Sequence, residues 1–341
     1  MRFRDVWSSL ADAGISLGAD DMKEDPPVTS AFHVYFGPEA LAATPRVRRI
    51  GPYDCFSALK EGLDDFFAMP TYPVFVGLFY AVAGIALFAM TSLGDALQMA
   101  FPLAAGFALI GPFVAIGLYE MSRRREHGLA VRGRDAFAVL RSPALPSILA
   151  FGLLLLAIFA AWIFAAELIY VSLYGPNPPA GVIPFLQDVL STGRGWTLIV
   201  LGVLVGFCFA ALALAISVVS FPLMLDRDLG LVPALEASLR VTRANPLAVA
   251  FWGLIVAVAL VLGSLPVFFG LAVVVPVLGH ATWRLYRKAV ERDPAHEVPI
   301  EGPLNPDDVT RNPVVRFVCI FLDMVDFLRE GKEPKAPIAK D

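Results

Sequence analysis

Three ionisable side chains stand where apolar surroundings would make them chemically useful: Glu167 in AAWIFAAELIY, His280 in VVVPVLGHATW, and Glu120 at the end of FALIGPFVAIGLYE. Charged groups are costly inside a bilayer, so a buried one marks a proton relay or a solute site. Glu167, about one turn from the end of its apolar run, is the first choice for binding a solute or a proton, and His280 the second. None of the three lies at the middle of a run, so each also reads as an interfacial group. Asp226 closes another run, but Glu120 with Asp226 is too thin a basis for an acid–base pair acting on lipid. His33, His127, His280 and His296 give no pair on one apolar stretch, which disfavours haem or copper ligation within the membrane. HExxH, GxSxG and P-loop lysine motifs are absent, leaving hydrolase and ATPase chemistry without support. Cys55, Cys208 and Cys319 are too far apart for a CxxC pair and read as small apolar residues. The expectation is a protein that is not an enzyme, with no catalytic residue, no metal and no cofactor.

The elements that would position these residues are membrane helices. Hydrophobic residues make up 57% of the 341 and charged residues 17%, which is the composition of a polytopic membrane protein. The stretch 101–125, FPLAAGFALIGPFVAIGLYEMSRRR, is uncharged up to Glu120 and ends in Arg123, Arg124 and Arg125, as expected of a span pinned on its cytoplasmic side. Six spans follow from the same reasoning: 72–92, 101–119, 147–170, 196–225, 247–263 and 267–286, paired as three hairpins. Gly263, Ser264, Leu265 and Pro266 supply the turn between the last two. Between the middle pair lies a proline-rich loop of about 25 residues, the one sizeable feature outside the cytoplasm. Lysine plus arginine number 7 in residues 1–71, 6 in 120–146, 3 in 226–246 and 10 in 281–341, against Arg194 alone in the outer loops. Both termini are therefore expected in the cytoplasm. The opening MRFRDVWSSLADAGISLGADD has no apolar core of a signal peptide.

Two amphipathic segments complete an all-α reading. In SALKEGLDDFFAMP, Phe56, Leu59, Leu63, Phe66 and Phe67 share helical spacing while Lys60, Glu61, Asp64 and Asp65 fall opposite, as in a helix lying on the inner membrane surface. VVRFVCIFLDMVDFLRE from Val314 has the same character. The domain plan is thus a partly disordered tail 1–46, a membrane domain 47–290 and a tail 291–341. SALKEGLDDFFAMP and PALEASLRVTRANP place Ala-Leu at one interval before Pro70 and Pro246, and DAFAVLRSPALP is a shorter version, so a surface helix followed by a hairpin reads as a unit repeated three times. Gly202 and Gly206 form GxxxG, a packing contact within the bundle. Pro112, Pro222 and Pro276 either kink the even spans or are tolerated there.

VRRI, the Ala58, Leu59, Gly62 pattern, Asp65-Phe66, PLAAGFALIGPFVAIGLYEMSRR and the closing GHATWRLYRK resemble the bacterial integral membrane family catalogued as domain of unknown function 2189. The resemblance covers residues 47–288 and implies a six-span inner-membrane protein, with no activity or site residue to carry over. The residues favour a non-catalytic scaffold, assembly or regulatory factor with the lipid bilayer and a membrane protein partner around it. A transporter or channel for an uncharged or lipid-like solute is the second reading, and a lipid-directed enzyme the third. Nucleic acid has no place among the expected partners.

Overall fold

The computed structural model describes residues 45–69, 84, 115–179, 181–227, 229–266, 268–294 and 296–300, all within a compact unit of residues 34–341. The N-terminal tail, the expected span 72–92 apart from Gly84, residues 101–114 of the next span, and the amphipathic segment from 314 lie outside the described residues. Every named element among those described is helical. Among the described residues, extended pairing is limited to an antiparallel bridge between Val47 and Val290.

Helix α1, Pro52–Ala68, starts on a proline that needs no backbone partner, and Asp54 reaches back to accept the Gly51 amide at 2.8 Å. Its contact face is Cys55, Ala58, Gly62, Asp65 and Phe66. This corrects the spacing argument for Asp65. Asp65 is buried rather than solvent-facing, and Phe56, Leu63 and Phe67 are exposed, Phe67 by 68%. Small residues decide the face: a Cβ on Gly62 would stand 2.5 Å from the Ala281 backbone nitrogen, so the two helices meet nearly backbone to backbone. A charge can be buried there because its partners arrive from the other helices.

Helix α2, Ile116–Glu126, carries Arg123, Arg124 and Arg125 in its last turn, where cations suit the helix dipole. It stops at Gly128, whose φ of 71° lets the Leu129 amide reach back to the Arg124 carbonyl at 3.1 Å. A 3-10 helix, Gly133–Arg141, leads into α3, Leu145–Tyr174. Helix α4, Val182–Ser191, follows a left-handed Gly181. The proline-rich loop is therefore partly helical, since Pro184 falls in a first turn that tolerates proline and Ile183, Leu186 and Leu190 follow helical spacing.

Helix α5, Gly193–Ser217, and helix α6, Ser220–Asp226, form one apolar rod broken at Val218 and Val219. Pro222 explains the break: it has no amide for the Val218 carbonyl, and its ring crowds that carbonyl. Helices α7, Leu231–Ala244, and α8, Pro246–Ser264, are separated by Asn245 alone, and α9, Leu271–Ala289, follows a short turn in which Phe268 takes φ 65°. Gly263 and Gly270 face each other across that turn with no room for a side chain on either. The segments compared by the repeat, α1, the 3-10 helix and α7, are all helical, and Ala58 and Ala234, the alanines of the two Ala-Leu pairs, are both buried.

Three stretches, Leu145–Tyr174, Gly193–Asp226 and Pro246–Ser264, are long and apolar enough to cross a membrane. They expose Leu153, Phe164, Phe207 and Val261 by more than half, as suits helices whose surroundings are hydrocarbon. Between them Trp162 of α3 lies over Gly206 of α5, 3.0 Å from where a Cβ would stand. Gly206 is thus a packing contact within the bundle, whereas no described residue comes within 4 Å of a Cβ at Gly202. Helix α9 is not among the three, because its second half carries His280, Arg284, Arg287 and Lys288 and packs against α1 and α2.

Candidate functional site: a buried layer of ion pairs

The polar side chains that the fold buries gather where α1, α2, α6 and the second half of α9 meet. Asp65 is 1% exposed. Arg284 grips it with two bonds, Nε to Oδ2 at 2.9 Å and NH2 to Oδ1 at 2.7 Å, Arg125 donates to Oδ1 at 2.7 Å, and Ser122 donates to Oδ2 at 2.9 Å. Removing a carboxylate from water costs several kcal/mol, and donors of this number and geometry are what offset it.

Ser122 also lies 2.7 Å from His280 Nδ1. With its one proton directed at Asp65, the hydroxyl accepts from a protonated Nδ1, an assignment made from the bonding pattern. His280 Nε2 is then the bare nitrogen, with no hydrogen-bond partner among the described residues. Ser, His and Asp are in contact, but the serine sits between the other two. A nucleophilic triad needs the histidine in the middle. Ser122 and His280 are both 0% exposed, which keeps a substrate from either.

Asp226, 0% exposed, is the second hub. Arg287 holds it by two bonds at 2.8 and 2.9 Å and Tyr286 donates to it at 2.6 Å, while Arg123 Nε and Arg227 Nε approach to 3.8 and 3.7 Å without bonding. Arg287 further binds Glu126, which accepts the Trp283 indole at 2.9 Å, and stacks 4.8 Å over the Trp283 ring. Glu297 takes Arg292 at 2.8 Å and lies 3.5 Å from Arg287. The Arg292 bonds are the main reason its carboxyl is pushed down to about 2, with Arg287 and His127 adding to the effect.

Glu120 is the third hub, 3% exposed, accepting Arg123 at 3.2 Å and Arg124 at 2.7 Å. Arg123 also donates to the Val298 carbonyl. Beyond Glu120 a cavity of about 40 Å³ lies between α2, the 3-10 helix and residues 298–299, with Arg123, Arg124, Arg141 and Ser142 among its walls.

Of the side chains singled out from sequence, His280 and Glu120 belong to this layer and Glu167 does not. Glu167 lies in α3, half-buried, with Oε2 buried and unbonded among the described residues. Glu120 and Asp226 are brought together through Arg123. Sequence reasoning missed Asp65, Ser122, Glu126, Arg284 and Arg287. The available signal was that Arg284 and Arg287 sit on an otherwise apolar helix, where a cation needs a partner as well as a side of the membrane. No group of three metal-ligating side chains occurs among the described residues. Cys55, buried, and Cys208, exposed, are both free thiols, and burial pushes the Cys55 thiol up to about 11.

No curated protein and no solved structure matches the chain. Residues 100–226 match the family model described as predicted integral membrane protein (DUF2189), a stretch that holds α2 to α6 with Glu120, Ser122, Arg123, Glu167 and Asp226, while α1 and α9 lie outside it. The apolar helices and this match together make the chain an integral membrane protein, similar over residues 100–226 to the DUF2189 family.

Proposed function

We propose that the protein is a multi-pass bacterial inner-membrane protein with both termini in the cytoplasm, acting as a non-catalytic scaffold, assembly or regulatory factor for a membrane protein partner. The observation that carries this reading is the buried layer: Asp65 binds arginines of α2 and α9, and Asp226 of α6 binds Arg287 of α9 and lies beside Arg123 of α2, so that α1, α2, α6 and α9 are tied together. Carboxylates held this way by charge-assisted bonds act as struts between helices. The placement of the arginines on one side of the expected spans supports the orientation. Purification of the full chain in mild detergent tests it. A stoichiometric protein partner is the expected result, and a bound lipid or solute with no protein partner would overturn it.

A second reading, a transporter or channel for an uncharged or lipid-like solute, is favoured by one observation, the unbonded Oε2 of Glu167 in an apolar helix. Under the scaffold reading Glu167→Gln changes stability by no more than about 0.5 kcal/mol. Under the transport reading it abolishes uptake into reconstituted vesicles while the protein still folds. Loss of a measured transport activity on this substitution would displace the scaffold reading.

A further inference from the structure

Going beyond the scaffold reading, we infer that α4 is a membrane-surface helix, with one flank seated in lipid where headgroups meet acyl chains. Its ten residues, Val182–Ser191, present three flanks. Phe185 and Val189 face the protein. The Phe185 ring meets Tyr170 and Tyr174 of α3 edge-on at 6.2 and 5.9 Å, and Val189 lies against Gly195 of α5, where no Cβ would fit. Val182, Ile183, Leu186 and Leu190 form the second flank, exposed by 40, 69, 51 and 60%. At about 100° per residue they fall within a single arc of roughly 100°. Gln187, Ser191 and Pro184, also exposed, form the third, on the far side of that arc from Phe185 and Val189.

That order of flanks, protein then apolar then polar, is what a helix needs to lie along a bilayer surface beside the spans it belongs to. The spans mark the level. Tyr170 and Tyr174 close α3, and Trp196, 55% exposed, opens α5; such amphipathic rings collect at a membrane–water boundary. Helix α4 bridges these two ends through Phe185 and Val189, so it lies at their depth. The lipid-facing surface of the spans reaches the same level, with Leu168 of α3 and Val200 of α5 more than half exposed. Lipid is therefore the occupant that this position supplies, and it removes an apolar flank from water. The charge fits as well. The helix carries only Asp188, which Arg194 neutralises with bonds of 3.1 and 2.8 Å while stacking 4.7 Å over the Tyr174 ring. With no net charge to place, the apolar flank alone seats the helix, and an uncharged bilayer surface suffices.

The test uses the full chain in phosphatidylcholine nanodiscs, where quenchers reach both faces, so it reads α4 for either orientation of the chain. Leu186→Cys, Leu190→Cys, Gln187→Cys and Ser191→Cys, each in a background without Cys55, Cys208 and Cys319, carry an environment-sensitive fluorophore. Lipid bearing a nitroxide on its acyl chain and aqueous iodide are the two quenchers. Nitroxide lipid is expected to quench positions 186 and 190 at least about threefold more than 187 and 191, as a seat about 5–10 Å into the boundary implies, with the order reversed for iodide. Equal iodide quenching at all four positions would overturn the proposal, because the flank would then be in water. Shielding of 186 and 190 from both quenchers would overturn it too, because a second copy or a partner protein would then cover them. The unsubstituted chain gives an independent reading. Phosphatidylcholine carrying a diazirine at the top of its acyl chain is expected to label Val182–Ser191 on illumination. Labelling of α3 and α5 without α4 would overturn the proposal even where a cysteine variant fails to fold.

Discussion

Asp65 shows what a single buried side chain can decide. Spacing along α1 assigns it to the polar face beside Asp64, yet the structure gives Asp64 to solvent and Asp65 to Arg284, Arg125 and Ser122. Asp65→Asn keeps the shape and removes the charge that two guanidinium groups share. Breaking a buried ion pair on one side costs about 3–5 kcal/mol, and the lower end applies because Arg125 is 37% exposed and can rehydrate. A loss of about 3 kcal/mol in thermal unfolding in detergent is therefore expected. The double variant with Arg284→Gln should fall short of the sum of its parts. Additive losses would mean that this pair does not hold α1 to α9.

At the scale of the element, α1 has two apolar edges with different roles. Phe66 is 6% exposed and lies on the buried side of α1, whereas Phe67, Leu63 and Phe56 look outward. Phe66→Asp should cost about 1.5–3 kcal/mol or more, the worth of a large buried side chain, while Phe67→Asp in detergent should stay within about 0.5 kcal/mol of the parent. Thermal melts of the two single variants separate these outcomes, and equal losses would show that α1 is docked through a different face. The sequence pattern could not choose between the edges because both are apolar. The choice was made by Gly62, which lets the Ala281 backbone come close. Helix α4 was missed for the opposite reason: four prolines around it signal a loop, although only Pro184 lies inside it, in the first turn.

At the scale of the whole molecule, an odd number of crossings between two loops must put them on opposite sides. If the arginine-rich ends lie in the cytoplasm, single cysteines at Pro178 and Ser264 react with a membrane-impermeant maleimide added outside, and cysteines at Lys60 and Arg243 react only after the membrane is opened. The background replaces Cys55, Cys208 and Cys319. Labelling at Pro178 only from the inner side would sink the orientation. The stretches long and apolar enough to cross, Leu145–Tyr174, Gly193–Asp226 and Pro246–Ser264, were legible from sequence to within a few residues as 147–170, 196–225 and 247–263. Whether a segment prefers hydrocarbon depends on its own side chains and length, so a local reading suffices. The partners of the charges were not legible. Asp65 and Arg284 are separated by 219 positions, and Asp226 and Arg287 by 61. Which carboxylate meets which guanidinium depends on where helices cross, and those crossings are set by close approaches such as Gly62 on Ala281 and Gly279 on Leu118. The apolar helices were thus determined by the sequence alone, and the buried layer of ion pairs by the tertiary structure, because solvation is a property of a segment and pairing a property of the packed chain.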